Sequence, residues 1–322
     1  MNDQVALSER LAVVFPGQGS QSVGMLSALS EHFSCVEATF AEGTDALGYD
    51  AWLLVQTGAK DALARTQVTQ PVMLLAGVAV WRAWQIAGGP QPACAAGHSL
   101  GEYTALVAAG AITLQDAVRV VKERARLMQE TVPEGHGAMA VFLGLSEEAV
   151  QEICEQVQPT GSVAPANFNA PGQVVVGGLK TAVDQAGALA KAKGCKRVVP
   201  VAMSVPSHCL LMEPAAQRLA PVLEALKIHA PRFPVLNNLT ARPEVDPEKI
   251  RAALQAQIYN PVLWTQTIRN LLSGGCDTVV VLGPGKVLTG LGKRIDRSGR
   301  FLGVETPTEL NDCLEQCAAL EV

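Results

Sequence analysis

No block of lysines or arginines occurs in the 322-residue chain, and its 25 basic residues are outnumbered by 30 acidic ones, for a net charge of −5. Nucleic acids and anionic membrane surfaces are bound through positive fields, so neither is expected as a partner, while a local basic patch stays open. The eight cysteines, at 35, 94, 154, 195, 209, 276, 313 and 317, include no CxxC. The nearest pair, Cys313 and Cys317, lacks the spacing of a zinc or redox site. Reduced thiols packed as small hydrophobes are therefore expected, and no metal. No stretch of about 18 uncharged apolar residues marks a membrane span. The opening MNDQVALSER carries acids and no apolar run, unlike a secretory signal or an Arg-rich transit peptide, so a cytoplasmic location is expected. Internal repeats and low-complexity tracts are also missing, and only the tail after about Cys313 reads as dispensable.

What is present is material for a core. Apolar residues make up 48% of the chain and charged ones 17%, which predicts a soluble globular protein. At roughly 100 to 200 residues per domain the length implies about two domains. Such a chain buries about three quarters of its unfolded surface and needs no disulfide to hold it.

Short apolar runs at Leu11 to Phe15, Ala93 to Ala96, Pro234 to Leu236 and Thr278 to Leu282 lack strict alternation, as suits strands covered on both faces of a parallel sheet. Helical patterns lie between them at roughly 70 to 87, 102 to 109, 114 to 131, 214 to 226, 247 to 257 and 263 to 273. This is an α/β pattern. Residues 137 to 203 parse instead as strand (Ala138 to Leu143), helix (Ser146 to Gln156), strands (Val163 to Phe168, Gln173 to Gly177), helix (Thr181 to Lys193) and strand (Lys196 to Met203). That βαββαβ order is ferredoxin-like. The expected organisation is a large α/β domain, 1–135 and 204–322, carrying a small inserted domain, 136–203, entered near His136 and left near Ser204.

Ala95-Ala96-Gly97-His98-Ser99-Leu100-Gly101-Glu102 places Gly-x-Ser-x-Gly between a small-residue apolar run and a helical pattern. A sharp strand-to-helix turn of this kind projects its serine, so Ser99 is the candidate nucleophile. The backbone N–H of Leu100, at a helix N-terminus, would favour a developing oxyanion. A second donor could come from the Pro16-Gly17-Gln18-Gly19-Ser20-Gln21 loop at a strand's carboxyl end. That loop lacks the Lys-Ser/Thr of a P-loop.

A serine nucleophile needs a general base, and five histidines are available, His32, His98, His136, His208 and His229. His32 and His229 lie in polar helix-end or loop settings, and His136 lies in a Gly-rich linker. His98 precedes the nucleophile, so its side chain should diverge from that of Ser99. His208 follows a break at Pro206, where a structural role and a catalytic one are both open. No acid after the elbow stands out as a third triad member, so the imidazole is expected to be oriented by something neutral, such as a backbone carbonyl.

Thr113 and Asp116 read as a capping box opening the helix 114 to 131. At about 100° per residue, Ala117, Val120, Val121, Leu127 and Met128 share one stripe, and Arg124 falls in the middle of it. A core-facing guanidinium stays charged and needs a partner. Either an internal carboxylate pairs with it, or it is a fork that awaits a substrate carboxylate.

Phe15-Pro-Gly-Gln-Gly-Ser-Gln21, Thr69-Gln-Pro71, Gly97-His-Ser-Leu-Gly-Glu-Tyr103, Asn167-Phe-Asn-Ala-Pro-Gly-Gln173, Ser204-Val-Pro-Ser-His208, Gln257-Ile-Tyr-Asn-Pro261 and Gly283-Pro-Gly-Lys286 span almost the whole chain in order. In these motifs the sequence resembles the malonyl-CoA:acyl carrier protein transacylases of fatty-acid synthesis. The resemblance implies an α/β-hydrolase-like large domain with a ferredoxin-like small one. It implies Ser99 as nucleophile, His208 as base, the amides of Gln18 and Leu100 as oxyanion hole, Arg124 as the malonyl carboxylate clamp, and the backbone carbonyl of Gln257 as orienter of the imidazole. It also puts Gln70 and Asn169 near the site. Malonyl-CoA and acyl carrier protein are the implied partners, and no cofactor is implied, because the coenzyme A thioester is a substrate. A discrete acyltransferase that loads a polyketide synthase would share this chemistry. A serine thioesterase or lipase would share elbow and base but gives Arg124 no reason to lie on the buried face, and a non-catalytic carrier-binding scaffold need not keep Ser99 and His208. Asn237 and Asn238 read as a polar strand end.

Overall fold

The computed structural model describes residues 7–203 and 205–318. Two sheets organise them. The larger has six strands in the order β10-β9-β1-β2-β7-β8, with β1 Leu7–Phe15, β2 Gln91–Gly97, β7 Val235–Leu236, β8 Pro243–Glu244, β9 Thr278–Leu282 and β10 Arg300–Val304. All its pairings are parallel except β7 with β8. Alternate residues of a strand face opposite sides, and both sides are covered. Leu11, Val13 and Phe15 of β1 pack into one core with the helices Thr66–Ile86 and Leu114–Thr131. Ala12 and Val14 pack into a second with Trp264, Ile268, Leu288 and Leu291. Burial on both faces is why these strands show apolar runs without alternation.

The second sheet has four antiparallel strands in the order β4-β5-β3-β6, with β3 Gly137–Leu143, β4 Val163–Ala170, β5 Gln173–Leu179 and β6 Arg197–Pro200. Helices Glu147–Val157 and Lys180–Ala192 cover one face through Ala140, Phe142, Val174 and Val176. The other face carries Met139, Ala166 and Val175. This sheet leans on the rest of the chain through Val262, whose N–H reaches the carbonyl of Ala166 and whose carbonyl accepts from Phe168, each at 2.9 Å.

The structure departs from the sequence reading in several places. Strand β6 ends at Pro200 rather than Met203, since proline supplies no N–H to extend a ladder. The expected exit from the insertion at Ser204, and the first six residues of the opening segment, lie outside the described residues. The first long helix begins at Thr66 instead of 70. Helices Cys35–Leu47, Val287–Ile295 and Pro307–Ala318 and strand β10 have no counterpart in the expected elements. The tail after Cys313 is not dispensable as far as Ala318. Cys313 and Cys317 are buried beside Leu310 and Val304, so this last helix packs on the core at the edge strand β10.

Candidate active site

The site begins where β2 turns into the helix Gly101–Ala108. Ser99 sits at the turn with φ +53°, a left-handed conformation that a side chain adopts at a cost. Both flanking glycines are required by contact: a Cβ on Gly97 would fall 1.8 Å from the carbonyl carbon of Gly101, and one on Gly101 would fall 2.2 Å from the Phe15 oxygen. The strain is held by Asn238, whose Oδ1 accepts from the Ser99 N–H at 2.6 Å while its Nδ2 donates to the Gly97 carbonyl at 2.6 Å. Asn238 is thus not a plain polar strand end. Strand β7 pairs with β2 in register Ala96 with Leu236, which delivers the residues after Leu236 to the end of the sheet where the elbow stands.

Ser99 Oγ lies 2.7 Å from Nε2 of His208. The other ring nitrogen, Nδ1, donates to the backbone carbonyl of Gln257 at 2.8 Å, which leaves Nε2 as the acceptor for the serine hydroxyl. His208 also adopts a left-handed φ of +61°, and its N–H is tied to the carbonyl of Ile258. The end of the helix Pro247–Gln257 therefore fixes both backbone and ring. Burial, reinforced by the positive charge of Arg124, pulls the His208 pKa down to about 3 against the stabilising Gln257 carbonyl. The ring is neutral at neutral pH, as a proton acceptor must be. His98 turns the other way: its Nε2 meets Oδ1 of Asn169 at 2.8 Å and its ring packs edge-on against Trp264.

Arg124 is 1% exposed, and the helix Leu114–Thr131 points it inward as its place on the apolar stripe requires. Its hydrogen-bond partners are neutral. Nη1 donates to Oε1 of Gln70, and Nη2 donates to Oε1 of Gln257 at 2.9 Å and lies 3.5 Å from Ser99 Oγ. Nε has no partner, and the guanidinium carbon sits 5.7 Å from the centre of the Tyr103 ring. Among the described residues no carboxylate pairs directly with it, so the internal salt bridge that the sequence left open is not formed. A buried guanidinium with spare donors beside a serine can receive an anion.

The cavity that joins these groups is lined by Gln18, Gln70, Ser99, Leu100, Arg124, Asn169 and His208, among others. Gln18 is held by its side chain, whose Oε1 accepts from the Thr66 hydroxyl at 2.8 Å. Gln257 stands behind the cavity wall, acting through its carbonyl and its amide. Met139, Val141 and Val175 of the small sheet and Leu288 and Leu291 of the helix Val287–Ile295 supply the apolar side. No group of three metal-ligating side chains occurs among the described residues, and none of their helices is long and apolar enough to cross a membrane.

Two participants escaped the sequence reading. Asn238 is one. Glu102 is the other: an acid at a helix start commonly lies exposed, complementing the helix dipole, yet Glu102 is 2% exposed. Its Oε2 accepts from the N–H of Asn238 at 3.0 Å and from Nε2 of Gln257 at 2.8 Å. The signal available in the sequence is its position three residues after Ser99, which returns its side chain beneath the turn.

An acyl transferase domain model matches residues 12–300. The malonyl CoA-acyl carrier protein transacylase of Salmonella typhimurium is 50% identical over 307 residues, covering 95% of this chain and 99% of that protein. The crystal structure of the malonyl-CoA:acyl carrier protein transacylase from Xanthomonas oryzae superposes with a TM-score of 0.95 at 47% identity, over 97% of this chain and 99% of its own. A malonyl-transacylase solved in complex with a type II PKS acyl-carrier protein superposes at 0.94 with 51% identity, over 95% and 99% of the two chains. With one family matched along most of its length and relatives of about half identity aligned nearly end to end, the chain belongs to the malonyl CoA-acyl carrier protein transacylases.

Proposed function

We propose that the protein moves a malonyl group from malonyl-CoA to the pantetheine thiol of acyl carrier protein, by a ping-pong route through a malonyl ester of Ser99, and so supplies fatty-acid synthesis. The observation that carries this is Arg124: a buried, carboxylate-free guanidinium 3.5 Å from the Oγ of a serine that is paired with a neutral imidazole. His208 Nε2 takes the hydroxyl proton as Ser99 Oγ attacks the thioester carbon. The amides of Gln18 and Leu100 receive the developing oxyanion. On collapse the C–S bond breaks, and the proton held on Nε2 passes to the sulfur of coenzyme A. The carrier's thiol then repeats the sequence in reverse, with His208 taking its proton and returning one to Ser99. No step calls for a metal or redox cofactor.

The apolar wall of Met139, Val141 and Val175 supports a division of labour in which the segment 136–203 covers the acyl group while 1–135 and 204–322 carry the chemistry. A dry pocket slows water as a competing nucleophile. A lipase or thioesterase needs no charged group at the acyl end of the pocket, and a non-catalytic scaffold needs no Ser99–His208 hydrogen bond. The deciding experiment is to mix the protein with malonyl-CoA and measure intact mass, which should rise by one malonyl group and return to its starting value when holo acyl carrier protein is added. A mass that never changes, or free malonate released at the rate of thioester cleavage, rejects the transferase reading.

The carrier is acidic in this reading, so docking needs a basic rim on a chain of net charge −5. Lys196 and Arg197, and Lys286, Lys293 and Arg294, are the candidates. Arg294 has the strongest placement: its Nη1 donates to Oε1 of Gln173, which itself lines the cavity. Lys286 lies 3.8 Å from Glu309 and is partly offset by it. Lys293→Glu combined with Arg294→Glu should raise KM for the carrier several-fold and flatten its salt dependence, while malonylation by malonyl-CoA keeps its rate. Equal losses with both substrates would mark a damaged site instead.

A further inference from the structure

Arg124 and Glu102 do not touch, yet one side chain connects them. The Gln257 amide accepts from Arg124 Nη2 through Oε1 and donates from Nε2 to both the Ser99 carbonyl and Glu102 Oε2. The orientation of that amide is fixed, because both partners of Nε2 are acceptors and the partner of Oε1 is a donor. Glu102 is thus the buried negative counterpart of Arg124, one amide away.

We propose that Glu102 is a proton acceptor coupled to acyl binding: in the empty site it is the anion that balances Arg124, and it takes a proton from solvent when an acyl carboxylate seats on the guanidinium. The inference rests on the reading of Arg124 as the clamp for that carboxylate. Two anions and one cation in a water-poor site leave an unbalanced buried charge, and the guanidinium cannot shed its own proton. The incoming malonyl carboxylate, with the lower ordinary pKa and a direct fork to bind, keeps its charge, so Glu102 yields.

The surroundings support the assignment. Burial has already pushed the Glu102 pKa up to about 7, against the opposing pull of Gln257, Asn238 and Arg124. Of the elements packed on its helix, Leu114–Thr131 contributes Arg124. Thr66–Ile86 carries one cation, Arg82, which pairs with Glu42, and Arg10 of β1 pairs with Asp277. Strands β2 and β7 bring no charged side chain. Tyr103, next to it on the same helix, is held well up in its neutral form by burial. The imidazoles of His208 and His98 are both pulled down by burial, so the resting His208 ring does not take up and hold a proton from solvent near neutrality.

The transfer itself is proton-neutral, since the serine proton leaves on coenzyme A, so any net uptake belongs to the protein. In a single turnover with malonyl-CoA, in weak buffer with a pH indicator, wild type should take up a substantial fraction of one proton per malonyl-enzyme between about pH 7 and 8. It should take up none near pH 5.5, where Glu102 is already protonated. Glu102→Gln keeps an oxygen for both donors and removes the charge. It should form the malonyl-enzyme with no uptake, and the wild-type equilibrium for malonylation should fall relative to this variant by up to about tenfold per pH unit above pH 7. Malonyl-enzyme formed by wild type without uptake at any pH overturns the proposal even if the variant fails to fold, as does equal uptake in the two proteins. Failure to form malonyl-enzyme at all, counted by intact mass in the same samples, would reject the underlying transferase reading instead.

Discussion

Ser99→Ala should abolish the mass gain from malonyl-CoA and reduce malonyl transfer by a factor on the order of 10⁴ or more, the scale on which losing a nucleophile costs an acyl-transfer enzyme. The hydroxyl is the only group removed, and the elbow does not depend on it. Gly97, Gly101 and the two hydrogen bonds of Asn238 set the turn, and alanine meets the same left-handed φ that serine meets. What is lost structurally is the partner of His208 Nε2. An unsatisfied buried acceptor costs about 1 to 3 kcal/mol against a typical stability of about 5 to 15 kcal/mol, so the variant should fold and melt a few degrees lower. Intact mass after incubation with malonyl-CoA is the measurement, with circular dichroism as the folding control. A variant that still acquires one malonyl group at full stoichiometry would remove Ser99 from the nucleophile role.

The fold was legible where burial on two faces leaves a plain mark. Thr278–Leu282 coincides with its apolar run, and Leu114–Thr131 and Pro247–Gln257 coincide with their helical patterns, because each is flanked by a turn or cap that stops it. Strand β10, Arg-Phe-Leu-Gly-Val, carries a charge and a glycine, and its pairing with β9 is a tertiary fact that no local pattern announces. The last helix hides for a related reason: Cys313 and Cys317 read as small hydrophobes, but the charged residues around them give no sign of the core that they pack against. At the site, Ser99 and Arg124 stood out because each breaks a local rule, one by its glycines and one by its charge on an apolar stripe. Glu102 and Asn238 break no rule in sequence. Their importance comes from the sheet order, which sets β7 beside β2, and from burial at a helix start that ordinarily faces water. The role of the Gln257 side chain was hidden in the same way, since nothing local distinguishes an amide that joins two buried charges from one on a surface.

Arg124→Ala should cost a hundredfold or more in catalytic efficiency on malonyl-CoA and nothing on acetyl-CoA. Removing one member of a buried ion pair costs about 3 to 5 kcal/mol, and each roughly 1.4 kcal/mol is a factor of ten. The malonyl-bound state supplies such a pair in direct contact, because no carboxylate among the described residues touches the guanidinium and its Nε is unpartnered. Acetyl transfer loses no such contact and stands to gain, since the wild-type pocket sets an apolar methyl against a charge that wants an anion. The variant should remain folded. Gln70 and Gln257 lose a donor each, and Glu102, deprived of its balancing charge, moves to its neutral form, which burial already favours. Arg124→Lys should recover only part of the loss: an ammonium keeps the charge but cannot donate to Gln70, Gln257 and a carboxylate in one plane. The comparison is of kcat/KM for wild type and both variants on malonyl-CoA and acetyl-CoA, after folding is confirmed. A parallel fall on both thioesters would make Arg124 a structural charge held by Tyr103, Gln70 and Gln257, and would move acyl selection to the apolar wall formed by Met139, Val141 and Val175.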